Sequence, residues 1–268
     1  VGQATVIRAL SAASDVLSRY DTLEVAAEIF DLHPFDDQLG LWERVEIDGE
    51  NLSFDRTLNQ QILFAEAASA LPDSVGLADK RVRRFLDVLD ANMAIRSTGL
   101  IRHYIRPPVP RMLFAVMRTP RYKDLLWNEG VRHYHTVSDQ RKQKERGYQT
   151  VNLSALSELK VAFPDHPFWD TSKVESAVTY LHENQREIMS GIRVKHGTPI
   201  QGIGIAKSLA GFLDRDIESY SDHIQSELSI NPQTGEFLFE ADTIDANMRA
   251  ALVVTLTELP NITVVHSQ

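Results

Sequence analysis

Apolar residues along this chain recur every three to four positions over long windows, the spacing of one face of an α-helix. Ile7, Leu10, Val16, Leu17 and Tyr20 make one such stripe, and Leu23 to Phe30 predicts a second, shorter helix. A stretch punctuated by Pro34, Gly40 and Gly49 follows, where Trp42, Val45 and Ile47 read as one short strand with no sheet visible around it. Leu58 to Ala68 is apolar around most of a helix circumference, which predicts burial on several sides. The helix expected after Asp79 is striped on one side only. Its Val82, Phe85, Leu86, Leu89 and Met93 oppose Arg81, Arg84, Asp87 and Asp90.

This alternation of enclosed and striped helices continues. Gln149 to Phe163 predicts an enclosed helix, and Thr171 to Ser190 a striped one whose Ser172 and Glu175 have capping-box spacing. Ile205 to Leu213 is short and apolar; Asp214 to Leu228 aligns Ile217, Tyr220, Ile224 and Leu228. Asn231 to Phe239 reads as a hairpin-like loop, and Ile244 to Leu256 as a closing apolar helix. The enclosed helices start near residues 57, 149, 205 and 244, with a shorter candidate, MLFAVM, near 112. The interval is about 40–55 residues, one helical hairpin per unit, without a repeated residue pattern. The expected fold is all-α: one domain over 1–268, an (α/α) toroid of helical hairpins, complete or not. A plain α-solenoid shares this rhythm, but inner helices so apolar favour the toroid.

Composition narrows the function classes. The 268 residues carry 28 Lys plus Arg against 37 Asp plus Glu, a net charge of −9, which argues against bulk nucleic-acid or anionic-membrane binding while leaving room for a local basic surface. There is no cysteine, which excludes disulfides and thiolate metal sites. No stretch has the roughly 18 apolar residues that span a bilayer, so no membrane insertion is expected. No basic-then-apolar leader opens the chain, and a cytoplasmic setting is the expectation. A start at Val1 points to processing or to a piece of a longer protein.

In a toroid the residues just before each inner helix gather at one mouth. Arg56, Asn59 and Gln60 stand at the first, Tyr148, Gln149 and Asn152 at another, and Asp242, Asp245 and Asn247 at the last. They supply the donors, acceptors and aromatic faces that bind a polyhydroxylated ligand, although Asp and Asn in such places also cap helices. In GLIRHYIRPP, Pro107 and Pro108 disfavour helix, so Arg102, His103, Tyr104 and Arg106 are expected on an extended segment. An imidazole beside a phenol can work as base and acid, and arginine can hold a carboxylate; a packed connector with surface arginines is the plainer reading. Asp36 and Asp37 offer one acid for glycoside hydrolysis, with Asp242 or Asp245 as partner.

Weaker signals complete the survey. His133 and His135 alternate before Asp139, but two imidazoles without a third ligand do not make a metal site, and no metal or cofactor is expected. His166, in a tight turn, is expected to bond its own backbone. RKQKERGY, Arg141 to Tyr148, reads as a solvated loop or a basic rim for an acidic polymer. Gly202 and Gly204 lack the spacing of a nucleotide loop and more plausibly let a neighbour or ligand come close.

The stretch GYQTVNLSALSELKVAFPDHPFW, Gly147 to Trp169, resembles the YHAFNL…FPDHPFW segment of six-hairpin toroid proteins from surface-glycan and N-glycosylation gene clusters. HGTPIQGIGIA and NPQTGEFLFEADTIDANMRAAL resemble the last hairpins of that group, so the likeness covers the C-terminal half. It implies a hydrolase, lyase or epimerase acting on uronic-acid-containing sugars. Where the group carries His after the Tyr, this chain has Gln149. Zinc-dependent lanthionine cyclases share the toroid, but their ligands include cysteines, which this chain lacks.

The sequence therefore points to a carbohydrate-active protein for an acidic sugar or glycan. His103, Tyr104, Tyr148 and Asp37 are its catalytic candidates; Arg56, Gln60, Arg102, Arg106, Gln149 and Asn152 are its binding candidates. A helical-repeat module binding a protein or peptide is the alternative. No nucleic acid partner is expected.

Overall fold

The computed structural model describes residues 2–46, 48–72, 77–127, 139–190, 201–213, 220–225, 228–230 and 237–239, with 139–141, 190, 225, 228–230 and 237–239 as backbone only. Helices dominate. α1 (Gly2–Leu17) and α2 (Tyr20–Asp31) form an antiparallel pair joined at Ser18, whose φ of 52° places a left-handed residue in the corner. α3 (Leu58–Ser69) packs on α1 and is backed by α4 (Ala78–Asn92). As the sequence predicts, α3 is buried on nearly every side, and α4 buries Val82, Phe85, Leu86, Val88 and Leu89 along one stripe.

α5 (Val109–Arg118) follows, then a 3₁₀ turn (Pro120–Tyr122) and a helical turn at 123–127. The MLFAVM segment in α5 is no enclosed helix. Only Met112 and Ala115 are buried there. α6 (Asp139–Ala162) lies along α3 and pairs with α9 (Gln201–Leu213), while α7 (Ser172–Glu183) backs both α6 and α9. α8 (Gln185–Ser190) and α10 (Ser221–Gln225) are short. In the row of contacts α1–α3–α6–α9, with α2, α4 and α7 outside it, α3, α6 and α9 are the helices expected to be enclosed, and α1, expected to be striped, stands at the end of the row.

Two expectations need correction. RKQKERGY is not a loop: α6 begins at Asp139, ten residues before the expected start, because Lys, Gln, Glu and Arg are good helix formers. An ion pair from Glu145 to Arg96, 2.5 Å, holds this turn against the neighbouring chain. Tyr148, Gln149 and Asn152 thus lie well inside the helix. The cap of α7 is Thr171, one residue before the expected Ser172, its hydroxyl 3.5 Å from the Val174 amide.

The irregular stretch after α2 is a three-stranded antiparallel sheet, β1 (Phe35–Asp36), β2 (Leu41–Val45) and β3 (Asn51–Phe54), with Phe35 opposite Trp42 and Glu43 opposite Phe54. Alternation is faint because both faces of β2 are buried. Trp42 enters an aromatic cluster with Phe30, Phe35, Phe64 and Phe85 at centroid distances of 4.8–6.4 Å, tying α2, α3 and α4 to the sheet. On the opposite face Glu43 is buried and receives two bonds from Arg121 and one from the Tyr122 hydroxyl. Gln61 of α3 clamps the strand, accepting from the Trp42 amide at 3.0 Å and donating to its carbonyl at 2.9 Å.

Gly40, at φ 63°, turns β1 into β2 so close to α4 that a Cβ would stand 2.3 Å from Val88 Cγ2. Gly204 plays the packing role expected of it: a Cβ there would meet Thr150 Cβ at 3.0 Å, so the glycine lets α9 approach α6. β4 (Leu228–Ile230) and β5 (Phe237–Phe239) pair antiparallel; β5 falls in the expected hairpin-like stretch Asn231–Phe239, while Leu228, expected to end a helix, stands in a strand. The expected closing helix at 244–256 lies outside the described residues. A single buried apolar cluster runs from Ala4 to Ile224.

Candidate functional site

Residues 100–106 form the extended segment predicted ahead of Pro107. Ile101, His103 and Ile105 are buried, while Arg102, Tyr104 and Arg106 are half-buried, the alternation of a strand. Backbone bonds pin the segment on both sides. The Leu58 amide donates to the His103 carbonyl at 2.8 Å, and the Ile105 amide to Arg56 at 3.0 Å. The Arg102 amide donates to Ala94 at 2.8 Å, and the Arg106 amide to Asn92 at 2.7 Å. His103 and Tyr104 are therefore fixed at the N-terminal end of α3.

A cleft of about 510 Å³ opens there, lined by Arg44, Phe54, Asp55, Arg56, Thr57, His103, Tyr104, Asp124, Trp127 and Lys144. Three cations against two carboxylates make it locally positive in a chain of net charge −9. Asp55 is partly committed, since its Oδ1 accepts from the Thr57 amide at 2.8 Å and hydroxyl at 2.6 Å. Arg44 donates from Nε to the Ser53 carbonyl at 3.2 Å. The guanidinium of Arg56 is not ion-paired among the described residues.

Behind the cleft wall the His103 ring stacks on Tyr148 of α6, centroids 4.9 Å apart, and meets the Tyr104 ring at 5.1 Å. Lys144, one helical turn before Tyr148, holds its ammonium 5.6 Å from the centre of that phenol. Burial pushes the Tyr148 phenol above its ordinary value, so the hydroxyl keeps its proton well into alkaline solution. Asn152, a further turn along α6, is 1% exposed, and its Oδ1 has no donor among the described residues; Asn59 Oδ1 and Gln60 Oε1 are in the same position.

The structure thus brings together His103, Tyr104, Tyr148 and Arg56 from the sequence candidates, and adds Arg44, Asp124, Trp127 and Lys144. Only Lys144 had a sequence signal, as part of the basic run. Gln149 is fully buried and spent on the backbone: its Oε1 accepts from the Ile101 amide at 2.9 Å and its Nε2 donates to Ala177 at 3.1 Å. It staples the 100–106 segment between α6 and α7. Arg102 and Arg106 lie on that segment but do not line the cleft.

Asp37 is exposed away from the cleft, where its carbonyl accepts from Arg84 at 2.6 Å. Its neighbour Asp36 is buried, accepts from the Gln38 and Leu39 amides, and pairs with Arg118. His166 bonds the Phe168 amide within its turn, as expected. His133, His135, Asp242, Asp245 and Asn247 lie outside the described residues, as does the side chain of Asp139. Among the described residues no group of three His, Asp or Glu side chains could hold a metal ion.

No protein-family model matches this chain, and no solved structure matches it. A relative is found in Haloferax volcanii, archaeal glycosylation protein Q, 32% identical over 272 aligned positions that cover 97% of this chain and 71% of the relative. Its name carries the glycosylation connection implied by the Gly147–Trp169 stretch. With that identity over nearly its whole length, the chain belongs to the archaeal glycosylation protein Q family.

Proposed function

We propose that this chain is a carbohydrate-active enzyme that takes an acidic, uronic-acid-type sugar in the cleft at the start of α3 and moves the proton beside its carboxylate, as an epimerase or lyase. The observation that carries the reading is the convergence of His103 and Tyr104 with Arg44, Arg56 and Lys144 around one cleft. Arg56 and Lys144 neutralise the sugar carboxylate, which stabilises the carbanion formed when the His103 imidazole removes the adjacent proton. An epimerase returns a proton from the opposite face. A lyase expels the neighbouring glycosidic oxygen, which takes a proton from a tyrosine hydroxyl as the C=C bond forms. The family's link to glycosylation supports a sugar as the substrate. The inner row α1–α3–α6–α9, backed by outer helices, supports an (α/α) toroid forming one domain.

Incubating the protein with uronate-containing oligosaccharides in deuterated water tests this. Deuterium at the carbon beside the carboxylate identifies the epimerase, and an unsaturated uronate absorbing in the ultraviolet identifies the lyase. Neither signal from any uronate would remove the proposal. A hydrolase is the second reading, favoured by Asp55 and Asp124 on the cleft walls. It would release reducing ends without either signal and lose that activity in Asp124→Asn.

A further inference from the structure

The outer face of α5 takes no part in lining the cleft. At roughly 100° per residue, Val109, Pro110, Leu113, Phe114 and Met117 of α5 fall within a contiguous arc of about 140°. That arc points outward: Met117 is 83% exposed and Phe114 55%. Met112 and Ala115, on the other side, are sunk in the core, so the helix is anchored with its apolar face bare. Trp127, 64% exposed, adds an aromatic side chain at the end of the same excursion.

Charge identifies what this face meets. The fifteen residues 109–123 contain Arg111, Arg118, Arg121 and Lys123 and no acidic residue, in a chain of net charge −9. On the helix, Arg111 and Arg118 follow directly on the edge of the apolar arc. Arg118 and Arg121 reach back to the buried carboxylates of Asp36 and Glu43, yet 41% and 47% of their side chains stay exposed. A second exposed apolar cluster, Val16, Leu17 and Tyr20 at the α1–α2 corner, has no such basic excess: its single neighbouring cation, Arg19, stands between the exposed Asp15 and Asp21.

We propose that α5 is an interfacial helix that docks the protein on an anionic lipid surface. Its apolar arc enters the boundary between headgroups and acyl chains while the arginines and Lys123 meet lipid phosphates, the arrangement of a helix lying in the plane of a membrane. Trp127 sits at headgroup depth, as amphipathic rings do. Docking two copies face to face through this patch would set basic groups against basic groups, so self-association is the less favourable occupant. This is attachment to a surface and not a span: no helix among the described residues is long and apolar enough to cross a membrane. Because Trp127 also lines the cleft, attachment places the cleft mouth near the lipid.

The test uses the full chain with vesicles of phosphatidylcholine alone or mixed equally with phosphatidylglycerol. The protein should sediment with the mixed vesicles and not with the neutral ones. Brominated lipid should quench tryptophan emission, and the quenching reports Trp127 because Trp42 and Trp169 are buried. Phe114→Ser with Met117→Ser should weaken binding at least about tenfold with an unchanged near-ultraviolet circular dichroism spectrum. The exposed Arg111→Glu, which disturbs no packing, should weaken it roughly fivefold or more. Three results would each overturn the proposal: no sedimentation with either vesicle, full binding by both variants, or self-association that the double variant abolishes.

Discussion

The imidazole of His103 lies nearly parallel to the phenol of Tyr148, with centroids 4.9 Å apart and ring planes 25° from parallel. The stack ties the extended segment to α6 and sets the imidazole at the cleft. Burial favours the protonated form of the Tyr148 phenol, so its expected part is that of a proton donor or a prop for the imidazole. Tyr148→Phe keeps the ring and removes the hydroxyl. We expect a thermal midpoint within about 2 °C of the parent and, if the hydroxyl supplies a proton, uronate turnover lowered at least ~100-fold. Normal turnover would restrict Tyr148 to positioning His103.

Arg56 is expected to read the carboxylate. Arg56→Ala should weaken binding of glucuronate about tenfold in calorimetry and leave glucose binding unchanged, since the lost interaction is with charge. Equal losses for both sugars would mean that Arg56 shapes the cleft without reading its ligand's charge.

Gln149 is expected to be a matter of stability. Gln149→Leu strips a buried acceptor from the Ile101 amide and a buried donor from the Ala177 carbonyl. Two unsatisfied backbone groups should cost about 2–4 kcal/mol in urea unfolding. An unchanged midpoint would show that the segment finds other partners.

His33 should make stability depend on pH. Its Nδ1–H donates to the Glu43 carbonyl at 2.8 Å, its Nε2 is buried without a hydrogen-bond partner among the described residues, so a proton there would have no acceptor, and burial lowers its pKa below 6.5. Over the interval between the folded and unfolded values the unfolded chain binds more protons, so stability rises with pH. This contribution is intact above about pH 6.5 and is lost as pH falls toward the folded-state value. Urea titrations of the parent and His33→Gln across that interval should differ in slope, and parallel curves would remove His33 as the cause.

Gly99 locks the turn before the extended segment onto α7. At φ 93° a Cβ there would stand 2.2 Å from the Ser176 carbonyl oxygen. Gly99→Ala should therefore destabilise by about 2 kcal/mol or more and loosen the cleft wall, read as lower stability and faster amide exchange at Ile101. A fully stable variant would mean that this turn can move away from α7.

Much of the helical order was legible because enclosed and striped helices carry different apolar patterns, as α3 and α4 do. The extended run to Arg106 was legible from Pro107 and Pro108. The sheet was not, because Glu43 is buried by ion pairing to Arg121, and a buried carboxylate reads as a surface residue. Gln149 was misleading for the same reason: an amide in the helix that carries the family likeness looks like ligand-binding equipment until its two backbone partners are known.

By itself, then, the sequence determined α1 to α4, α6, α7 and α9, the contrast between an enclosed α3 and a striped α4, and the extended placement of His103 and Tyr104, since these depend on periodicity and on local backbone limits. Only the tertiary structure decided which polar groups share a cleft and which are consumed within the fold. The groups that meet come from segments far apart in the chain: Trp127, Lys144 and His103 line one cleft at the α3 end, while Gln149 joins Ile101 to Ala177. No local pattern encodes such pairings, because they are satisfied only when separate helices pack.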